Sequence, residues 1–478
     1  MRKLVVYESP NKFKTFASMF EGMDVSFCYT QGKIFELPED ELGIANDYQM
    51  DLRPVDDHRF EFLKSRISES GGVFCLTDND AEGEWIASHL KSLCEDFGVE
   101  FERVRLNALT REALEESLLS KNTVIKEELV SLAKSRRIID RVIGFHENGD
   151  KSLKRGRVLT PLVNSIHREP IPSSATLVCT EKNTEVVLEG KKEAVLELHQ
   201  DIVEGKVSTL LGKAEIYENV ELYNTIDILS DASMLDHKSP HEVFDDLQNM
   251  YEKGQVSYIR TVNKKYEVLN GEHRGIHYLG DLESEDAEGE VNTTLSLIKL
   301  RSIMHLKPYD FEFRSFSPSD ELLNRVNKGN IRIKRISKIE RKTKSVHELK
   351  RGISLLFGSI PRTQKGIRCR VIEHSPALDL LKRMEAMGVG TPATYHLHAK
   401  KIERLLINKD NSLVLNQKGL RVALQSDAIS LQLSKLENSK AIDALLFNNR
   451  LSIEDKCKKC LNVLRISESD GKDFTFSN

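Results

Sequence analysis

Leu76-Thr77-Asp78-Asn79-Asp80-Ala81-Glu82-Gly83-Glu84 sets four acids at alternate positions between an apolar stretch, Val73–Thr77, and a helical pattern over Glu82–Phe97. A strand that runs into an acidic turn and then a helix is the unit of a parallel sheet with helices on its faces. The flanking sequence repeats the unit. Strand signals at Lys3–Tyr7 and Val104–Leu106 and helix signals at Asn11–Met19 and Arg111–Leu119 complete an α/β domain over 1–125. Carboxylates at the C-terminal edge of such a sheet sit where ligands of open α/β folds bind. If the segment stays extended, Asp78, Asp80 and Glu82 project to one side and can share a Mg²⁺. The competing reading makes Asp80, Glu82 and Glu84 acids of a helix first turn, favoured there by the macrodipole. Glu8, in Val5-Val6-Tyr7-Glu8-Ser9-Pro10, ends another strand and reaches the same edge, with Lys12 and Lys14 just after it. An acid, a lysine and an acidic run on one edge suit phosphodiester chemistry through a divalent ion.

Beyond this domain the pattern changes. Residues 126–170 read as basic helices that end at Pro170 and Pro172. β-Branched residues recur from Thr176 to Leu229 and again at Phe311–Phe316 and Ile331–Ile339, separated by a helical part that restarts after Ser239-Pro240. The last hundred residues read as helical. Gly254-Gln255-Val256-Ser257-Tyr258-Ile259-Arg260-Thr261 follows an amphipathic helix, and in an extended segment Tyr258 and Arg260 face the same way. A phenol with a pKa near ~10 needs a neighbouring cation to act as a nucleophile at neutral pH. Taken alone, Tyr-x-Arg is common and reads as a core tyrosine beside an exposed arginine.

Together and in this order, these pieces resemble the type IA DNA topoisomerases. Val5–Thr15 is similar to that family's opening strand and helix, and Gln31–Pro38 to its G-H-x-x-D-L-P stretch. Leu76–Glu84 resembles its TOPRIM acidic motif, and Asn107–Thr110 its N-E-I-T. Arg136–Gly144 and Arg155–Val158 resemble its paired arginine motifs, Tyr258–Thr261 its nucleophile motif, and Met387–Tyr395 its L-G-I-G-R-P-S-T-Y.

The resemblance implies a multidomain α/β, α and β fold, the type IA torus with an N-terminal TOPRIM domain. The expected parts are the TOPRIM domain at 1–125, helical domain IV at 126–170 and 361–478, arch domain II at 171–235 and 308–360, and domain III at 236–307. It implies that Tyr258 attacks a phosphodiester and holds the 5′-phosphate, with Arg260 stabilising charge, Glu8 as acid or base, and Lys12 at the scissile phosphate. Glu8, Asp78, Asp80 and Glu82 would hold Mg²⁺, and His273, which keeps the histidine of the family's A-H-E-A-I-R, would be catalytic. Arg137, Arg157, Thr261, Thr394 and Tyr395 would contact DNA.

The implied activity is ATP-independent strand cleavage, passage and religation, which relaxes negative supercoils or decatenates. The same fold could instead serve a weakly catalytic accessory protein that binds single strands, while a TOPRIM primase or nuclease would need no Tyr-x-Arg. Departures lie in the shell around the chemistry: Ala81, Arg274, His277 and Thr391 stand where the family has other residues.

The 70 Lys and Arg against 74 Asp and Glu give a net charge of −4, which argues mildly against a partner held by bulk positive charge. The distribution is uneven. Residues 134–157 hold eight basic residues against three acids, and 331–351 hold nine against two, which leaves −16 on everything else. The first segment is expected to be a DNA track with steep salt dependence; the second is either another such track or a solvated strand face. No apolar run reaches the ~18–20 residues of a membrane span, and the N-terminus lacks a signal-peptide core, so a cytoplasmic location is expected; the resemblance implies a monomer acting on DNA with single-stranded segments. Seven cysteines suggest buried thiols, Cys457 and Cys460 included. Asp281–Glu290 reads as a solvated loop.

Overall fold

The computed structural model describes residues 2–45, 47–119, 124–145, 156–217, 221–262, 275–280, 292–306, 311–341, 366–425, 428–468 and 474–476. Its N-terminal sheet has four parallel strands in the order Val25–Tyr29, Lys3–Tyr7, Val73–Cys75, Phe101–Arg103. Strands covered on both faces read as near-continuous apolar runs, and Leu4, Val5, Val6 and Tyr7 are all at most 1% exposed. Leu4, Val6, Val73 and Cys75 face the core of the Ala81–Asp96 helix, which carries Trp85 and Leu90. Val5, Tyr7 and Phe74 face the other way, into a core shared with Phe16, Leu229, Leu247 and Tyr251.

The fourth strand lies three residues before the expected Val104–Leu106. Val104 still donates its N–H to Cys75 O at 2.9 Å, after which the chain leaves the sheet. Past this point the Arg103 guanidinium binds the carbonyls of Cys75, Thr77, Val104 and Asp78 at 3.0–3.1 Å and so ties the two chain segments together beyond the ladder.

The second sheet is antiparallel, with six strands in the order Leu211–Tyr217, Phe311–Pro318, Arg332–Arg341, Thr184–Lys191, Ser174–Glu181, Arg368–Glu373. Two neighbours, Leu211–Tyr217 and Phe311–Pro318, are separated in the chain by the segment that carries Tyr258, so the sheet is interrupted by an insertion. Within that insertion, Thr225–Asp236, Pro240–Glu252 and Thr293–Leu306 pack together and onto the first sheet's core. Pro240 at a helix start and the Ser239/Glu242 capping box fix where the middle helix begins.

The C-terminal part is largely helical, interrupted by a hairpin of Leu406–Lys409 with Ser412–Leu415 and by the pairing of Ile466–Glu468 with Phe474–Phe476. Cys457 and Cys460 lie on the Ile453–Val463 helix, both 0% exposed in a core with Ile138, Ile139 and Val142 of the Glu127–Phe145 helix. All seven cysteines are buried free thiols. Among the described residues no helix is long and apolar enough to cross a membrane.

Candidate active site

Glu8 and Asp78 follow the two central strands, where the strand order reverses and open sheets leave a crevice. Glu8 Oε1 accepts the Asp78 N–H at 2.7 Å. Ser9 caps a short turn, Pro10–Lys12, that turns Lys12 inward. The lysine is 2% exposed, ion-paired with Asp78 Oδ1 and set over the Tyr251 ring at 5.1 Å. Asp80 is the N-cap of the Ala81–Asp96 helix, and its Oδ1 accepts the Gly83 N–H at 2.9 Å.

Tyr258 reaches this edge from the insertion. Gly254, at φ 70, brings the backbone so close to the first domain that a Cβ there would lie 2.5 Å from Leu109 O. The Tyr258 N–H then donates to Asn107 O at 2.7 Å, which docks the tyrosine peptide on the sheet domain. Tyr258 Oη donates to Asp80 Oδ2 at 2.8 Å. Arg260 Nη1 lies 2.8 Å from the same oxygen, 3.3 Å from Asp78 Oδ2 and 3.4 Å from Tyr258 Oη. Six residues therefore meet: Glu8, Lys12, Asp78, Asp80, Tyr258 and Arg260.

Burial would raise the Asp78 pKa, but the Lys12 and Arg260 charges hold it below the usual carboxylate range. Glu8 goes the other way. Burial and then the Asp78 charge push it up to about 8, against a compensating pull from Lys12. Burial and then the Asp80 carboxylate raise the Tyr258 phenol well above its ordinary value, so it sits protonated at neutral pH.

Glu82 does not join the group. The expectation that Asp78, Asp80 and Glu82 alternate to one side required an extended segment, and the helix begins at Ala81. Glu82 instead lies 3.5 Å from Arg137 and 3.8 Å from Lys33, with one buried oxygen lacking a hydrogen bond. Both oxygens of Asp78 and of Asp80 are taken by donors of the protein itself. Among the described residues no three His, Cys, Asp or Glu side chains converge to hold a metal ion. Glu82 stands apart from Glu8, Asp78 and Asp80, so a Mg²⁺ at this edge would be held by Glu8, Asp78 and Asp80 in place of their present donors Lys12, Arg260 and Tyr258; no step below runs through a metal.

The arginines expected on DNA have partners within the chain. Arg137 pairs with Glu36 at 2.9 Å and lies over the Trp85 ring at 5.4 Å. Arg157 is bound by Asp140 at 2.7 Å and by Asp443. Arg141 donates to the carbonyls of Pro38, Glu41 and Leu42. What reads in sequence as a basic track is, in its described part, largely a set of clamps onto a strand, a loop and other helices of the chain. In the second basic segment Lys334 and Arg335 likewise pair with Glu189 and Glu185 of the neighbouring strand. Thr261 hydrogen-bonds Thr225, and Thr394 bonds Thr391. Tyr395 packs against two cores. His273, Arg274 and Asp281–Glu290 lie outside the described residues.

Sequence reasoning missed the groups that hold the site in shape. Tyr251 packs edge-on against Tyr258 with ring centroids 5.5 Å apart. Asn107 links the tyrosine peptide to Asn79, whose amide donates to Asn107 Oδ1 at 2.7 Å. Gly83 is set by contact: a Cβ there would meet Asp78 O at 2.0 Å. Gly83→Ala is therefore expected to push the Asp78 loop aside. A displacement near 1 Å can cost about 100-fold in rate, so any strand-cleaving activity should fall by about that factor while circular dichroism stays near wild type. Undiminished activity in this variant would contradict the geometry.

Similarity to known proteins agrees with this architecture. Residues 3–108 match the Toprim domain family. Reverse gyrase 2 of Aquifex aeolicus is 24% identical over 534 aligned positions, which cover 88% of this chain and 44% of that protein. DNA topoisomerase 1 of Campylobacter jejuni is 30% identical over 30% of this chain and 21% of its own length. The plasmid DNA topoisomerase I of Xylella fastidiosa is 29% identical over 34% of this chain and 26% of its own. The chain thus spans less than half the length of these curated relatives. Full-length topoisomerase I from Thermotoga maritima superposes with a TM-score of 0.60 at 16% identity, over 96% of this chain and 89% of that one. What the chain shares with these proteins is a Toprim domain at 3–108 and the fold of a full-length topoisomerase I.

Proposed function

We propose that the protein cleaves one strand of DNA through a 5′-phosphotyrosine on Tyr258, lets a strand pass and reseals the break without ATP. The observation that carries this reading is the hydrogen bond from Tyr258 Oη to Asp80 Oδ2, with Arg260 bridging the phenol and both aspartates. A buried, protonated phenol needs a base, and Asp80 is in contact with its proton. As Oη bonds to phosphorus, the proton passes to Asp80 and the bond from phosphorus to O3′ breaks. Glu8, neutral below about pH 8, gives its proton to O3′. Arg260 and Lys12, now held by carboxylates, are the cations that an incoming phosphodiester would draw to itself. Religation runs the same steps backwards, with the bond energy kept in the phosphotyrosine.

This assignment gives a pH dependence with a definite sign. Cleavage uses the protonated form of Glu8, which is populated below its pKa of about 8. The single-turnover rate of adduct formation is expected to fall as pH rises through 8, and Glu8→Gln should remove that limb. A rate that climbs through the same range would mean that ionisation of the phenol, and not Glu8, controls the step.

Relaxation of negatively supercoiled DNA and decatenation are both open to this chemistry, and single-stranded segments are the proposed substrate in each. The division into parts at 125, 170, 235, 307 and 360 is proposed on the same footing, as are DNA contacts from Arg137, Arg157, Thr261, Thr394 and Tyr395. The test is plasmid relaxation with the full chain in buffer without ATP. Conversion of supercoiled plasmid to a ladder of topoisomers supports the proposal; linear or permanently nicked product would indicate a nuclease.

A further inference from the structure

We propose that Cys179 and Cys369 are a reversible redox site: a low-molecular-weight disulfide oxidises them to a bond across two strands, which closes residues 179–369, Tyr258 among them, into one covalent ring. The inference stands apart from the strand-cleavage reading, because no residue of the acidic edge takes part in it.

The register of the second sheet sets the pairing. Ser174–Glu181 and Arg368–Glu373 run antiparallel through six residue pairs, and Cys179 lies directly opposite Cys369. Residues so placed hold their Cα atoms ~4.5–5.5 Å apart, inside the ~4.4–6.8 Å that a disulfide spans without moving the backbone. The two side chains also share a face. Both belong to one core with Leu177, Val186 and Ile367, and their sulfurs are in contact at 2.6 Å. Elsewhere a cysteine sulfur meets oxygen: Cys75 Sγ lies by Thr77 Oγ1, and Cys460 Sγ by the Ile442 carbonyl.

Burial decides which sulfur reacts first. Cys179 is 0% exposed on an inner strand, and burial pushes its thiol well above the ordinary range, so it keeps its proton at neutral pH and attacks poorly. Cys369 is on the sheet's edge strand, paired on one side only, where local opening costs less than unfolding the sheet. Once exposed, the Cys369 thiolate attacks the oxidant's S–S bond, forming a mixed disulfide and releasing one thiolate. When the strand pairs again, the Cys179 sulfur attacks Cys369 Sγ, and its proton leaves with the second small thiol. The protein gives up two electrons and two protons, and the oxidant becomes two thiols. Excess thiol runs the exchange backwards, so the reduced pair is the resting form in a reducing compartment.

The bond would join the chain's entry into the second sheet to its exit. Ser174–Glu181 brings the chain in, and Arg368–Glu373 takes it out to the Pro376–Met387 helix. His374 already links these ends, with Nε2 2.8 Å from Thr176 Oγ1 and Nδ1 3.0 Å from Asp379 Oδ1. A covalent link between residues 190 positions apart adds a constraint that persists when the strands part.

The test is to incubate the full chain with oxidised glutathione or with dithiothreitol, alkylate the free thiols, and map the peptides by mass spectrometry. The expected result is a disulfide joining the peptides of Cys179 and Cys369 in the oxidised sample alone. Closure of the ring should also give a faster band in a non-reducing denaturing gel, one that reductant abolishes and that Cys369→Ser cannot form. Amide exchange over Arg368–Glu373 should slow at least about tenfold on oxidation, since the edge strand can no longer leave its neighbour. Alkylation of both Cys179 and Cys369 after oxidation, or a bond from either to another cysteine, overturns the proposal. Equal exchange of that strand in the two forms would also contradict it.

Discussion

Tyr258→Phe should abolish the covalent protein–DNA adduct while leaving single-strand affinity within about twofold of wild type. The substitution removes one oxygen and keeps the ring that packs against Tyr251. It also removes the hydrogen bonds of the phenol to Asp80 and from Arg260, and leaves the peptide docked through the Tyr258 N–H and Asn107 O. Loss of the nucleophile of a covalent mechanism leaves no alternative route to the intermediate, so a drop of at least ~1,000-fold is expected in a denaturant-stopped gel with labelled single-stranded DNA. Arg260→Ala is the companion. It removes the cation between the phenol and two aspartates, and preorganised charge of this kind is worth about 100- to 1,000-fold in rate. An adduct that survived in Tyr258→Phe would place the nucleophile elsewhere.

The second large effect concerns stability. Glu84 is 0% exposed and accepts from Arg103 Nε at 3.0 Å, from Arg105 Nε at 2.8 Å and from the Lys126 N–H at 2.9 Å. Glu84→Ala would leave two guanidinium groups, one of them fully buried, without their counter-charge. Breaking a buried pair from one side typically costs about 3–5 kcal/mol. Because Arg103 also holds the carbonyls of Thr77 and Asp78, the loss should be felt at the site itself. Trp85, the sole tryptophan, lies next to Glu84 in the same core, so its fluorescence in a urea titration reports this domain separately from the rest of a multidomain chain. The expected result is a lower urea midpoint with an unchanged slope, larger for Glu84→Ala than for Glu84→Gln. A change under about 1 kcal/mol would show that the arginines find other partners.

These two residues mark the limits of what the sequence discloses. The strand, acidic turn and helix around Asp78, the split β region and the Tyr-x-Arg peptide are all local patterns, with periods of 2 or 3.6 or with turn residues at fixed offsets, and each is readable in a single pass. Glu84 is not, because nothing local separates a buried hub from an acid of a helix first turn. Its role comes from Arg103 and Arg105 on another element. Glu82 was misplaced for a related reason. Alternation puts it beside Asp78 and Asp80 only if the chain stays extended, and Asp80 acting as a helix cap ends the extension one residue too early. The basic stretch at 134–157 shows the same limit in its charges. Arg157 pairs with Asp443 from the far end of the chain, and no composition count anticipates that a cation is already satisfied.

The central claim is that Tyr258, set on the acidic edge of the Toprim sheet, becomes joined to the 5′ side of a cut strand. The measurement that meets it head-on is mass spectrometry of proteolytic peptides after the full chain is trapped on single-stranded DNA, with the released strand analysed in parallel. The expected result is a nucleotide 5′-phosphate carried on the peptide containing Tyr258 and a free 3′-OH on the released fragment. A released fragment ending in a 3′-phosphate, a nucleotide on any other residue, or cleaved DNA with no protein attached would contradict the account.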